Sequence, residues 1–272
     1  EIITHLLDTP YPDFEKVIPE EHEGSLIVDR ERLITSLRQV GILARQQDGW
    51  LGYLLLLPLV AGILNLLLVK SGPRPQRLVS LIALGRLLPV AILLLRLADS
   101  GAIGVYQLGN WPAPFGITLV VDRLSALLLL LTAVMSWPVL LYATGGDDRR
   151  GHNFHVLFPL QVFGINGAFL TADLFNLYVC FEVMLMASFV LMVLGGDRHQ
   201  KEGGLKDVTL NLVSSALFLA GVGIVYGATS TLNLSELAAR MPSVAAERPE
   251  VVVALAGLFL VAFGIKAGLF PL

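Results

Sequence analysis

Apolar positions are spread unevenly along the chain, and the change of pattern divides it in two near Gly49. In residues 1–48 polar and apolar positions are mixed, and turn-forming Pro10, Pro12 and Pro19 precede one periodic stretch. There Asp29 can cap a helix, Glu31 falls in the first turn, and Leu33, Leu37, Val40 and Ala44 recur at helical spacing. The pattern predicts an amphipathic helix over 30–47. Fewer than about 50 residues with one helix bury little core alone, so this segment needs a partner or stays poorly ordered.

From Trp50 onward the chain consists of long apolar runs: 51–69, 78–97, 124–144, 154–171, 174–194, 208–229 and 251–272. Each approaches the roughly 20 residues that carry a helix across the hydrocarbon core of a bilayer. The fourth and fifth are nearly continuous around Asp173, which predicts two helices joined by a tight turn. The expected fold is therefore all-α, a polytopic membrane bundle of about seven transmembrane helices behind a short polar N-terminal segment. Between the second and third runs, 101–123 has a turn-rich centre at 109–114, with Tyr106 and Trp111 suited to a membrane interface. Residues 235–240 read as a short surface helix.

Charge orients the bundle. Lys70, Arg74, Arg77, Arg149, Arg150, Arg198, Lys201 and Lys206 occupy alternate connections, whereas the intervening ones hold Arg96, Arg123, Arg240 and Arg248. Eight basic residues against four place the first set in the cytoplasm and the start of the first span outside it. Only 15% of the 272 residues are charged and 55% are hydrophobic, against about 25% charged in a soluble domain. The net charge of −3 gives no nucleic-acid surface, and one cysteine, Cys180 inside an apolar run, excludes a disulfide framework. The chain starts at Glu1 with no signal-peptide pattern before residue 50, and reads as a fragment.

Few residues in the spans can carry chemistry. Glu182 stands in the middle of the fifth run, where a carboxylate costs several kcal/mol unless paired, hydrated or protonated. Lys266 lies in the last run among Gly264, Gly268 and Pro271, residues that loosen a helix ladder, and a charge beside a broken membrane helix is how transporters build ion sites. Each has a plainer reading: a paired structural carboxyl, and a lysine snorkelling to the interface. The two could form an ion pair if their spans pack together. Arg86 falls midway along the second span and is expected to face protein or headgroups. Asp173 and Asn176 flank a turn and suit capping. His152 and His155 are three apart, a spacing that could bind metal, but no cysteine or carboxylate accompanies them in the sequence. Lys206 and Asp207 open the sixth run as interfacial anchors, with a proton relay as the alternative for Lys206. No phosphate loop, nucleophile triad or dinucleotide fingerprint is present, so neither a cofactor nor an enzymatic centre is expected.

Four stretches, NGAFLTADLFNLYVCFEVML at 166–185, GNWPAPFG at 109–116, DRLSA at 122–126 and GIKAGLFP at 264–271, together resemble the D-type subunit of Mrp multisubunit sodium/proton antiporters. The resemblance covers residues 50–272 and extends to the antiporter-like subunits of respiratory complex I and membrane-bound hydrogenases. It implies about fourteen helices in two inverted five-helix repeats, each with a broken helix, so this chain would hold a truncated first half. It also implies that Glu182 is the essential glutamate of the fifth helix, Lys266 the lysine of the broken seventh, and Lys206 a lysine opening the sixth. Asp207 departs from the pattern, standing where an aromatic is usual. The implied partners are other antiporter subunits in a hetero-oligomeric complex in the bacterial inner (plasma) membrane, with protons and sodium ions as cargo. A proton-pumping subunit of a complex I-like or hydrogenase assembly is the alternative, and a non-transporting structural bundle is another.

Residues 1–49 resemble something unrelated. LDTPYPDFEKVIP at 7–19 and VDRERLITSLRQVGILA at 28–44 are similar to one strand–loop–helix piece of the bacterial DNA polymerase sliding clamp. Without the ring no DNA binding is expected, and the simplest account is a chimeric junction near Gly49.

Overall fold

The computed structural model describes residues 50–269, apart from 102, 109–110, 112–114 and 150–152. The amphipathic helix expected over 30–47 and the sliding-clamp resemblance lie outside the described residues. So do His152 and Arg150.

Eight α-helices are present among the described residues: α1 (Trp50–Leu67), α2 (Pro73–Asp99), α3 (Arg123–Ala143), α4 (Phe154–Leu170), α5 (Leu174–Val193), α6 (Arg198–Thr229), α7 (Leu234–Glu247) and α8 (Pro249–Lys266). Six of these are long and apolar enough to cross a membrane, and α4 is a shorter apolar helix of 17 residues. At 1.5 Å per residue α4 still spans about 26 Å. All seven expected spans are therefore helices, and the eighth helix, α7, is the amphipathic one.

Boundaries depart from the apolar runs in a consistent way. α2 begins at Pro73 and α6 at Arg198, well before the runs at 78 and 208, because polar first turns remain helical outside the hydrocarbon. The 32 residues of α6 reach about 48 Å, longer than a bilayer core. At the other end α8 stops at Lys266, and Gly268 takes a left-handed φ of 69° that residues with a Cβ avoid. The short helix expected at 235–240 runs to Glu247, because Leu237 and Met241 carry its apolar stripe onto Val225 and Leu255.

One element is not foreseen by the hydrophobic pattern. Residues Gly104–Gln107 (β1) and Thr118–Val121 (β2) pair antiparallel across the turn-rich centre, with Gly104 opposite Val121. Leu119 and Val121 point into the bundle and are buried. The hairpin also joins the neighbouring crossings. Ala172 N donates to Thr118 O at 2.8 Å, Leu234 N to Ala172 O at 2.8 Å, and Leu174 N to Leu232 O at 2.9 Å. Three crossings on the side opposite the basic loops thus satisfy one another's backbone groups, which cannot be left unpaired near a membrane.

Besides the contact of α6, α7 and α8 at Val225, Leu237 and Leu255, two cores hold the helices. Leu51, Leu54, Leu84, Leu87, Leu94 and Leu129 pack α1, α2 and α3 together. Phe218, Val222 and Ala262 pack α6 on α8. Between them α4 and α5 approach so closely that a Cβ on Gly164 would lie 2.8 Å from Met184 N and 2.9 Å from Cys180 O. Backbone atoms cannot yield, so only glycine fits there; small residues at such contacts are the usual means of packing membrane helices.

Caps set where helices start. Asp122 accepts from Ser125 N at 2.8 Å while Asp122 N donates to Ser125 Oγ at 2.8 Å, a reciprocal capping box for α3. The bonds from the Ser125 backbone and side chain hold the Asp122 carboxyl below the usual carboxylate range. A lowered folded value means stability present above the unfolded pKa and lost as pH falls through the folded one. We expect Asp122→Ala to cost about 1 kcal/mol at neutral pH, and Asp122→Asn to retain most of the cap while removing its pH dependence. Thermal unfolding of the purified protein in detergent between pH 3 and 7 measures both.

Candidate functional site: a serine-bridged carboxylate and lysine

Glu182 lies mid-helix on α5, and Lys266 is the last residue of α8. A helix C-terminus favours a cation, since the carbonyl ends of the last turn carry partial negative charge. The two side chains do not touch directly: α6 stands between them, and Ser215 at its middle joins them. Ser215 Oγ donates to Glu182 Oε1, and Lys266 Nζ donates to Ser215 Oγ at 3.2 Å. Ser215 is buried, while Glu182 and Lys266 are half-buried.

Neighbouring residues fix this geometry. Ser214 Oγ donates to Ala262 O at 2.7 Å, one helical turn before Lys266, so consecutive hydroxyls on α6 grip α8 by its backbone and by its lysine. The Phe181 ring centroid is 5.7 Å from Lys266 Nζ, and its face attracts the ammonium. Phe181, Phe218, Phe259 and Phe263 form a chain of ring contacts around the triplet, with centroids 5.3–6.4 Å apart. These rings lower the local dielectric beside the triplet, which strengthens its polar contacts.

Chemically, this arrangement can serve as a proton wire one oxygen long. A hydroxyl donates and accepts at once. If Lys266 passes a proton to Ser215 Oγ as Ser215 passes its own to Glu182, one proton moves from lysine to carboxylate, both charges vanish, and no heavy atom has moved far. The reverse shift restores the ion pair.

The other candidates fall elsewhere. Lys206 lies on the early part of α6, its side chain 74% exposed and paired with Glu202 at 3.1 Å, so the structure does not bring it to Ser215. Asp207 accepts from Asn211 Nδ2 at 3.3 Å. Asp173 caps α5, accepting from Asn176 N at 2.7 Å, which agrees with the capping expected of that pair. Burial against the hairpin raises the Asp173 carboxyl above the usual carboxylate range. Arg86 is exposed on α2 beside the apolar groove of Leu57, Val60, Leu64 and Ile82. His155 takes part in a hydrogen-bonded cluster with Asp148 and Ser80, and no grouping fit for a metal occurs among the described residues.

Sequence reasoning missed Ser215. The signal was present in Asn211, Ser214 and Ser215, three polar residues turned away from the exposed face within an otherwise apolar run, but each alone is common in membrane helices.

Residues 171–272 match the family model described as NADH:quinone oxidoreductase/Mrp antiporter, transmembrane. The chain is 44% identical over 232 residues to a probable K(+)/H(+) antiporter D subunit of Rhizobium meliloti, covering 82% of this chain and 43% of that protein. It is 40% identical over 220 residues to the Na(+)/H(+) antiporter D subunit of Alkalihalophilus pseudofirmus, covering 80% and 44%. Among solved structures it resembles a chain of the Mrp complex from Dietzia sp. DQ12-45-1b, with a TM-score of 0.72 at 28% identity, over 83% of this chain and 42% of that one. A chain of an archaeal membrane-bound sulfane sulfur reductase gives a TM-score of 0.76 at 27% identity, over 81% and 45%. The chain thus spans somewhat under half the length of the relatives it matches. None of these proteins is a sliding clamp, and they lend that resemblance of the first 48 residues no support. With its apolar helices, these likenesses mark a multi-pass protein of a bacterial plasma membrane, and over residues 171–272 the chain is similar to the NADH:quinone oxidoreductase/Mrp antiporter family.

Proposed function

We propose that this chain is the first-half portion of a proton-translocating subunit in a multisubunit sodium/proton antiporter, a transport component rather than an enzyme. The observation that carries the reading is the Glu182–Ser215–Lys266 chain of hydrogen bonds across α5, α6 and α8. Protons would pass along polar residues and water near the midplane, and Glu182 would set the charge state of Lys266. Pairing and separating the two would couple proton movement to counter-movement of a cation elsewhere in the assembly. The two D-type relatives support this reading, one named for potassium and one for sodium. The resemblance to the sulfane sulfur reductase chain favours a second reading, a proton pump powered by electron transfer.

The deciding experiment uses inverted vesicles containing the full-length subunit in its native complex. With an imposed pH gradient, sodium addition should dissipate the gradient, and potassium less so. If neither cation does so, but an electron donor acidifies the vesicles, the antiporter reading gives way to the pump. If none of these occurs in a correctly assembled complex, both are lost.

A further inference from the structure

The end of the bundle that carries Lys70, Arg74 and Arg77 holds a second polar cluster, which the transport reading does not use. His155, in the first turn of α4, is 2% exposed; its Nε2 is 3.0 Å from Asp148 Oδ2 and its Nδ1 is 3.2 Å from Ser80 Oγ. Asp148 lies in the 3-10 turn Asp147–Arg149, buried, and binds Arg77 twice, through Nε at 2.5 Å and Nη2 at 2.7 Å. Asn65 of α1 donates from Nδ2 to Ser80 Oγ at 2.8 Å and to His155 O at 2.7 Å. The charged Asp148 only accepts, so Nε2 carries a ring proton. In the neutral ring Ser80, which accepts from Asn65, gives its own O–H to Nδ1.

The plain reading is a knot that ties α1, α2, the α3–α4 connection and α4 together. Two features go beyond a knot. An imidazole is set between a charged carboxylate and a hydroxyl, in the hydrogen-bond order that hydrolases use to move a proton. And Asn65 Oδ1, fully buried, has no partner among the described residues, so the cluster keeps one acceptor in reserve. Ser80 is itself 0% exposed, which leaves no room for a substrate carbonyl. A proton needs no such room.

We propose that His155, backed by Asp148, is a proton-binding site separate from Glu182–Ser215–Lys266, exchanging its proton with the water on the side of the basic loops. The proton binds Nδ1, which then donates to Ser80 Oγ. The displaced serine hydroxyl turns to the carbonyl four residues back in its own helix, as helical serines do, or to the reserve oxygen of Asn65. The cluster passes from neutral to one net positive charge, with Asp148 opposing and Arg77 in its outer contact. Asp147 and the exposed Arg149 flank Asp148 in its turn, and Lys70 and Arg74 lie at the same end of the bundle. Elsewhere α1 offers the neutral Asn65, the adjoining half of α3 carries only the outward Tyr142, and α5 over 184–193 has no titratable group. Burial alone would raise the Asp148 carboxyl, but hydrogen bonds from Arg77 and His155 outweigh it and hold the group below the usual range, so it stays charged while the ring switches. The Arg77 side chain, 20% exposed, is the member of the cluster that solvent touches.

The direction of exchange rests on the transport reading; protonation of the ring does not. The test is nitrogen-15 histidine NMR of the full-length subunit in its assembled complex in lipid. One ring signal, absent from His155→Gln and displaced in Ser80→Ala, should pass from the Nε2–H tautomer to the doubly protonated ring between about pH 5 and pH 8. In Asp148→Asn its midpoint should fall by at least about one unit, a tenfold weaker proton affinity. A ring that stays neutral from pH 5 to 9 overturns the site. So does a titration that disappears in Lys266→Ala, because the two sites would then be one. A titration that survives while Lys266→Ala retains full antiport would leave this site standing and remove the transport reading instead.

Discussion

Lys266→Ala is expected to abolish cation-driven proton exchange by the full-length subunit while leaving the complex assembled. Lys266 sits at the end of α8, half-buried, and its hydrogen bond goes to Ser215, so its loss opens no cavity in the principal cores. What it removes is the proton donor of the wire and the positive charge facing Glu182. A carboxylate in the bilayer with no counter-charge costs several kcal/mol. Lys266→Arg keeps the charge but, with a group that does not deprotonate in proteins, still fails to release a proton. The expected rates are below a hundredth of wild type for alanine, since about 2.7 kcal/mol added to the barrier is a hundredfold, and similarly low for arginine. Glu182→Gln should match them, because an amide accepts from Ser215 but takes no proton from it. Dissipation of a pH gradient on cation addition, normalised to subunit content, measures all three. Antiport near wild-type levels in Lys266→Arg would show that the lysine acts only through its charge.

Much of this is legible in the sequence because membranes are severe about polarity. Every apolar run forms a helix, since backbone groups in hydrocarbon have nowhere else to bond. Glu182 and Lys266 stand out for the same reason: a charge in such a run costs too much to be incidental. The end of α8 is visible in Gly264 and Gly268, and the left-handed φ of Gly268 lies just beyond the last helical residue. The family resemblance carried by 166–185 and 264–271 agrees with the match over 171–272.

What stays hidden depends on contacts between elements far apart in sequence. The β1–β2 hairpin has four-residue strands, too short for alternation to speak, and it gains its definition from Ala172 and the neighbouring turn. The expectation that no carboxylate accompanies His155 is wrong: Asp148 stands seven residues earlier and a 3-10 turn brings it round to the ring. A direct pairing of Glu182 with Lys266 leaves out α6, which lies between α5 and α8. Periodicity tells which face of a helix is apolar, not which helix is its neighbour.

That intervening helix makes Ser215→Ala the sharpest test of the wire. Removal of one buried oxygen leaves volume and helix propensity almost unchanged, so expression and assembly should match wild type. Yet the substitution separates the donor from the acceptor by a methyl group that can neither give nor take a proton. Antiport should fall at least tenfold, about 1.4 kcal/mol of barrier, and Ser215→Thr, which restores a hydroxyl, should recover most of it. A merely structural serine would give small and additive losses. A relay predicts otherwise: on a Glu182→Gln background, Ser215→Ala should add almost nothing, because a broken chain cannot be broken again. Ser214→Ala provides the contrast, for its hydroxyl grips the Ala262 carbonyl and carries no proton between charges. It should lower thermal stability by about 1 kcal/mol and leave the rate per folded complex unchanged. If Ser215→Ala transports like wild type while Glu182→Gln and Lys266→Ala do not, the two charges meet through water or by direct approach during turnover, and Ser215 serves only the resting state.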